Sequence, residues 1–326
     1  MRKRLLSGMR PTGELHLGHL VGALKNWVKL QEDYDCFFMV ADWHALMSEY
    51  EDSSHLSEYA LDNVVDWLSC GLDPQKSTTF IQSQVPGHLE LFMYFSCLVP
   101  LGWLERCPTY KEQLQEIKNR ELHTYGFLGY PVLQAADILV YKASAVPVGN
   151  DQLPHLEITR EIARRFNHLY KKNIFPDPQA VLTEVPRLLG LDGRKMSKSY
   201  KNTVDLSDPP ETVKKKIGNM ITDPKRIRKT DPGHPEACNV RSYFASFAPE
   251  MKKEVDDWCR HAKVGCTECK KILSEKIIAI LAPIQEKRAG LLKDKSKLKE
   301  ILDAGAKKAA AVAQQTMEEV KKAVFR

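Results

Sequence analysis

Three groups of residues in this chain have the types and spacing to do chemistry. The first is Pro11–His19, PTGELHLGH. Gly13 permits a tight turn, and Gly18 lets a flat ring approach the backbone where a helix opens. His16 and His19 stand three apart, so both project from one face at the positive end of that helix, a place for a polyphosphate. The second group is Arg194-Lys195-Met196-Ser197-Lys198-Ser199 in a loop opened by Gly193. Two lysines three apart, beside small hydroxyls, suit the β- and γ-phosphates of a nucleotide whose charge moves during reaction. The third is Cys238, Cys259, Cys266 and Cys269, spaced C-x20-C-x6-C-x2-C, with Gly265 allowing a turn before the last pair. Four thiolates suit tetrahedral zinc or a [4Fe–4S] cluster, and spacing alone does not choose between them.

Each group has a bland counterpart: two surface histidines, a solvated run of lysines, four free thiols. The elements that must position them decide the matter. Arg4–Met9 reads as a strand, and a helix from about Leu17 to Gln31 follows it, so the first group lies at a strand-to-helix turn. Cys36–Ala41, CFFMVA, is a continuous apolar run of the kind buried on both faces of a parallel sheet. Helices are predicted near 54–72, 88–97, 113–125, 131–141 and 152–166, with short strands at Thr78–Gln82 and Val146–Val148. Strand and helix alternate with tight links, which predicts α/β: a Rossmann-like doubly wound parallel sheet over residues 1–200. Past about residue 200 only helices are predicted, near 210–220, 241–248, 249–263, 270–289 and 295–325, giving a C-terminal all-helical domain over 201–326. The second group then falls at the junction of the two domains, and two phosphate motifs in that order are very improbable by chance.

Composition narrows the function classes. With 43% hydrophobic and 28% charged residues among 326, the chain is neither disordered nor fibrous. No apolar run approaches the roughly 18 residues that span a bilayer, and the basic start MRKRLLSG lacks the apolar stretch of an export signal. Residues 1–200 carry 21 basic and 24 acidic side chains, whereas 201–326 carry 27 and 18. The basic excess therefore lies in the helical part, which points to a polyanion partner there. Cys36, Cys70, Cys97 and Cys107 are scattered and read as reduced core residues. Without an export signal, the grouped four point to a metal rather than to disulfides.

HLGH and KMSKS resemble the two signature motifs of class I aminoacyl-tRNA synthetases. The segments SGMRPTGELHLGH, ADWHALM, LERCPTYKE, YPVLQAADILVYKASAVPVGNDQLPHLEITREIARRFN and DGRKMSKS resemble those of bacterial-type tryptophanyl-tRNA synthetases, over nearly the whole chain. The resemblance implies a cytoplasmic, ATP- and Mg²⁺-dependent ligase, a homodimer, that joins L-tryptophan to tRNA(Trp) through tryptophanyl-adenylate. It implies ATP contacts at Arg10, Pro11, Thr12, Gly18, His19, Gly149, Asn150, Asp151, Leu188, Lys195, Met196, Ser197, Lys198 and Ser199, with His16, His19, Lys111, Lys195 and Lys198 assisting the reaction. It places Ser7, His44, Tyr130, Gln134, Asp137, Val146, Val148 and Gln152 around tryptophan. An ionised Asp only accepts hydrogen bonds and an indole N–H only donates, so Asp137 can read that N–H; a phenol O–H could donate to the same carboxylate. The resemblance separates the two in favour of tryptophan. Arg10 stands where many bacterial members have Gln, Leu17 where Ile is commoner, and Gln134 where many have Met. The cysteine pattern resembles a subset of these enzymes with a [4Fe–4S] cluster near the anticodon-binding surface, zinc being the alternative; the first gap here is shorter than in that subset.

Overall fold

The computed structural model describes residues 2–116, 121–149, 152–182, 188–196 and 200–325. Its sheet has five parallel strands, β1 (Arg4–Met9), β2 (Asp35–Val40), β3 (Ser77–Ile81), β4 (Ala145–Val148) and β5 (Gln179–Leu182), in the order β3-β2-β1-β4-β5. β2 explains why the sheet is covered twice. Cys36, Phe38 and Val40 enter one apolar core while Phe37 and Met39 enter the other, as the two-residue period of a strand requires. In the first core Trp27 stacks on Phe38 at 4.6 Å and meets the edge of Trp67 at 5.1 Å. In the second, Phe37 stacks on Tyr141 at 4.7 Å.

The first helical run is α1 (Leu17–His19), a π turn (Leu20–Leu24) and α2 (Lys25–Asp33). Between β2 and β3 lie α3 (Asp42–Glu49) and α4 (Leu56–Ser69). Between β3 and β4 come a 3-10 turn (Gln82–Gln84) and then α5 (Gly87–Ser96), α6 (Leu101–Glu105), α7 (Pro108–Glu116), α8 (Tyr125–Leu128) and α9 (Tyr130–Val140). α10 (Leu153–Tyr170) leads to β5. Two expectations shift. The helix read at 113–125 begins earlier, at Pro108, a residue suited to a first helical turn. β5 was not expected at all, because Gln-Ala-Val-Leu is four residues long at a sheet edge and its outer residues are exposed.

The remaining chain forms α11 (Pro210–Gly218), α12 (Asn239–Phe247), α13 (Lys252–Arg260), α14 (Cys266–Lys293) and α15 (Lys295–Val324). α15 returns to the sheet. Gly305 lies so close to the Thr79 carbonyl that a Cβ there would collide with it. Ala309, Ala313, Met317 and Val320 continue that contact into the core holding Phe37 and Phe80. The Ala-rich stretch thus supplies close packing on β3 as well as helix propensity. No described helix is long and apolar enough to cross a membrane.

Candidate active site

The chain runs from β1 to β2 on one side of the sheet, while β4 lies on the other side of β1. Beyond the carboxyl ends of such diverging strands a crevice opens, and ligands bind there. A cavity of about 290 Å³ occupies this place, at the small end of ligand pockets of about 300–1,000 Å³. Ser7, His44, Tyr130, Gln134, Asp137, Val146, Val148 and Gln152 all line it. Arg10 lines it too, so the structure places this residue beside the amino acid contacts rather than with the nucleotide motif alone. Lys111 is exposed on α7 and is not among the lining residues.

Asp137 is fully buried at the cavity wall. Its Oδ1 receives hydrogen bonds from Gln82 Nε2 and His88 Nδ1, each at 2.7 Å, and its Oδ2 from His44 Nε2 at 2.8 Å. Burial alone would push this carboxyl up, but hydrogen bonds from His44 and His88 outweigh it and hold the group below the ordinary carboxylate value. It is therefore ionised and acceptor-only. Gln134 and Asp137 share the cavity face of α9, whereas the Tyr141 hydroxyl turns away and meets His88 Nε2 at 2.7 Å. A second buried cluster stands behind Tyr130: His155 Nε2 is 2.7 Å from Thr109 Oγ1 and 3.3 Å from the Tyr130 hydroxyl. Burial raises the Tyr130 phenol, so it stays neutral. Gln82, His88, Thr109 and His155 were absent from the sequence reading. The available signal was position: Gln82 and His88 are polar residues just past the carboxyl end of a parallel strand.

The His16–His19 turn and the described part of the loop carrying Lys195 and Met196 meet. The Leu17 amide donates to the Val204 carbonyl at 2.9 Å and the Leu206 amide to Leu15 at 2.8 Å, so residues flanking the second motif are stitched to the first. A Cβ on Gly18 would stand 2.9 Å from the His16 ring and 3.0 Å from Met196 Sδ, so only glycine lets these parts close. His16 Nδ1 accepts from the Gly18 amide at 3.1 Å and His19 Nδ1 from the His16 amide at 3.2 Å, their rings 3.9 Å apart. Nitrogens that accept at Nδ1 carry their proton on Nε2 when neutral, so each ring keeps an N–H donor. The base of the second loop is pinned by Asn202 Nδ2, which donates to Asp192 at 2.7 Å and to the Lys195 carbonyl at 3.1 Å. Leu188 is buried in the core under this loop, and Lys195 is exposed on it. Pro11 is buried, Thr12 is exposed, and Gly149 borders β4. Asn150, Asp151, Ser197, Lys198 and Ser199 lie outside the described residues.

Cys238, Cys259, Cys266 and Cys269 line one small cavity, with Arg226 beside them. Among the described residues no three His, Cys, Asp or Glu side chains form a group arranged to hold a metal ion. Burial first, and then the neighbouring thiols, push Cys269 up to about 12. Arg226 Nη2 donates to the Lys229 and Val264 carbonyls at 3.0 Å each, while its buried Nε has no hydrogen-bond partner among the described residues.

Residues 2–282 match the family described as tRNA synthetases class I (W and Y). A tryptophan--tRNA ligase of Thermotoga maritima is 52% identical over 324 residues, 98% of each chain. One from Aquifex aeolicus is 45% identical, covering 98% of this chain and 99% of its own. A crystal structure of tryptophanyl-tRNA synthetase from Campylobacter jejuni, complexed with ADP and tryptophan, superposes with a TM-score of 0.89 at 37% identity, over 99% of this chain and all of that one. With a parallel sheet, a crevice at its switch point and HLGH packed against the loop that carries Lys195 and Met196, the chain belongs to the class I tRNA synthetases of the tryptophan and tyrosine family, on its tryptophan--tRNA ligase branch.

Proposed function

We propose that this chain activates L-tryptophan with ATP to tryptophanyl-adenylate and pyrophosphate, then transfers the acyl group to the 3′ end of tRNA(Trp), releasing AMP. The observation that carries the reading is Asp137, a fully buried carboxylate held ionised at the wall of a cavity the size of one amino acid. A carboxylate offers about four lone-pair sites, and three donors reach this one among the described residues. The fourth site, on Oδ2, is the natural partner for an indole N–H. Tyr130, Gln134 and Gln152 would hold the polar end of the amino acid, with Ser7, His44, Val146 and Val148 around its body.

Adenylate formation needs no nucleophile from the protein, because the substrate carboxylate attacks the α-phosphorus. The protein's part is position and charge. His16 and His19 would donate from Nε2 to phosphate oxygens, and Lys195 and Lys198, with Arg10, Pro11, Thr12, Gly18, Met196, Ser197 and Ser199 near them, would follow the leaving pyrophosphate. Gly149, Asn150, Asp151 and Leu188 would border the nucleoside, and Lys111, exposed on α7, would be a further phosphate contact. Mg²⁺ would neutralise phosphate charge. The test is pyrophosphate exchange with each standard amino acid: exchange with tryptophan alone is expected, and exchange with tyrosine at a comparable rate overturns the specificity.

The four cysteines would hold a [4Fe–4S] cluster, zinc being the alternative. Two features of their cavity support a sulfur-ligated group there. The four thiols line one cavity, and the buried Arg226 Nε–H, without a hydrogen-bond partner among the described residues, offers a donor to an anionic, sulfur-rich ligand. Such a cluster would brace the helical part, residues 201–326, whose basic excess would meet the anticodon arm of the tRNA. Residues 1–200 would then be the catalytic domain of a cytoplasmic homodimer.

A further inference from the structure

We propose that His88 is a positioning residue for substrate recognition: it orients Asp137 so that Oδ2 accepts the indole N–H. This rests on the role given to Asp137 above. His88 sits in the first turn of α5, is fully buried, and does not line the cavity, so it acts through Asp137 and not by touching substrate.

The hydrogen-bond count fixes what His88 does. Asp137 is ionised and can only accept, so His88 must present Nδ1–H to Oδ1 at 2.7 Å. The other ring nitrogen, Nε2, lies 2.7 Å from the Tyr141 hydroxyl, within hydrogen-bond distance. Tyr141 is itself immobile: fully buried, stacked on Phe37 at 4.7 Å and edge-on to Phe80 at 5.7 Å. The chain Tyr141–His88–Asp137 therefore runs unbroken from the core to the cavity wall. Together His88 and Gln82 fill both sites of Oδ1, and His44 fills one of Oδ2. Among the described residues one acceptor site is left, and the carboxylate cannot rotate without breaking bonds to three separate elements.

Removal of the His88 donor opens a second site on Oδ1, loosens the carboxylate plane and makes a protonated Asp137 easier to form. A protonated carboxyl presents O–H where the substrate presents N–H, two donors facing each other. The predicted loss is thus specific to substrates that carry the N–H. A residue that merely anchored α5 to α9 would affect every amino acid alike.

The experiment measures pyrophosphate exchange with two substrates, L-tryptophan and L-3-benzothienylalanine, in which sulfur replaces the N–H at nearly the same size. The readout is the ratio of their kcat/KM values. In His88→Asn the amide nitrogen falls near the Nδ1 position and can still donate to Asp137; in His88→Gln it falls near Nε2 and cannot. The ratio should stay within about twofold of wild type in the Asn variant and fall about tenfold in the Gln variant, the size of a hydrogen bond to a charged group, with the change in KM for tryptophan and not in kcat. Equal ratios in the two variants, or a lower one in Asn, overturn the proposal. If the Gln variant does not fold, Tyr141→Phe decides: a fall of about threefold supports the proposal and an unchanged ratio overturns it. Asp137→Ala separates the two layers of inference. If it leaves the ratio unchanged, the reading of Asp137 itself fails; if it abolishes the preference while the His88 variants do not differ, only the role of His88 fails.

Discussion

Asp137 is fully buried and Arg226 half-buried with its Nε out of reach of water, and their surroundings differ. Around Asp137 every donor is in place before any substrate arrives: Gln82, His88 and His44, with Tyr141 behind them. Around Arg226 the four thiols are drawn to one cavity, Cys269 is held protonated up to about 12, and the guanidinium Nε has no partner among the described residues. The first region is preorganised, a carboxylate locked by donors from three separate elements, the arrangement that the proposed reading of an indole N–H would use. The second gathers four thiols and a guanidinium edge in one cavity without such a set of fixed hydrogen bonds among the described residues.

The contrast can be broken most sharply at the cysteines. Cys269→Ser should abolish stoichiometric iron, and with it the broad visible absorbance of thiolate-to-iron bands, while tryptophan-dependent pyrophosphate exchange stays within about twofold of the parent. Stoichiometric zinc in the wild-type protein, without those bands, removes the cluster; neither metal at all removes the whole reading of that cavity. At Asp137 the pattern should reverse. Asp137→Ala should raise the KM for tryptophan about a hundredfold, since it deletes the acceptor and strands His44, His88 and Gln82 in a dry wall, with metal content unchanged. An increase below about fivefold means that the indole is read elsewhere.

The sheet and the helical C-terminal part were legible in the sequence because each depends on local pattern, CFFMVA on composition and the later helices on periodicity; HLGH and KMSKS stood out by short spacing and carried the family. What escaped depends on contacts across the chain. β5 is too short to declare itself and exists because β4 offers it an edge. His88 reads as one more helix histidine until α9 brings Asp137 and Tyr141 to its two nitrogens, 49 and 53 residues away in sequence. The return of α15 to β3 follows from Gly305 and the alanines only once Thr79 is seen opposite. Arg10 was assigned to the nucleotide by its motif, whereas the position of β1 also puts it on the amino acid cavity.

The two regions are joined by one element, α14, which carries Cys266 and Cys269 at its start and Arg288 about 33 Å further along. Arg288 Nε donates to Asp66 at 2.9 Å and Nη2 to Asp62 at 3.0 Å, both on α4 of the sheet half. Burial raises Asp66 to about 6 even with Arg288 pulling the other way. That native value lies above the ordinary carboxylate value of about 3.9. Between these pH values the folded chain holds a proton that the unfolded chain has released, so the group is least costly to the fold below about pH 4 and most costly above 6. Arg288→Ala takes away the compensating cation and raises the Asp66 value further. The loss should be about 2 kcal/mol at pH 8, where a buried carboxylate is left unpaired, and under about 1 kcal/mol at pH 5, where Asp66 takes up a proton instead. Thermal midpoints of variant and parent at the two pH values check this. A loss of the same size at both means that the contact joins the halves by packing alone, and that the charge on Asp66 contributes nothing to the link between the cysteine region and the catalytic one.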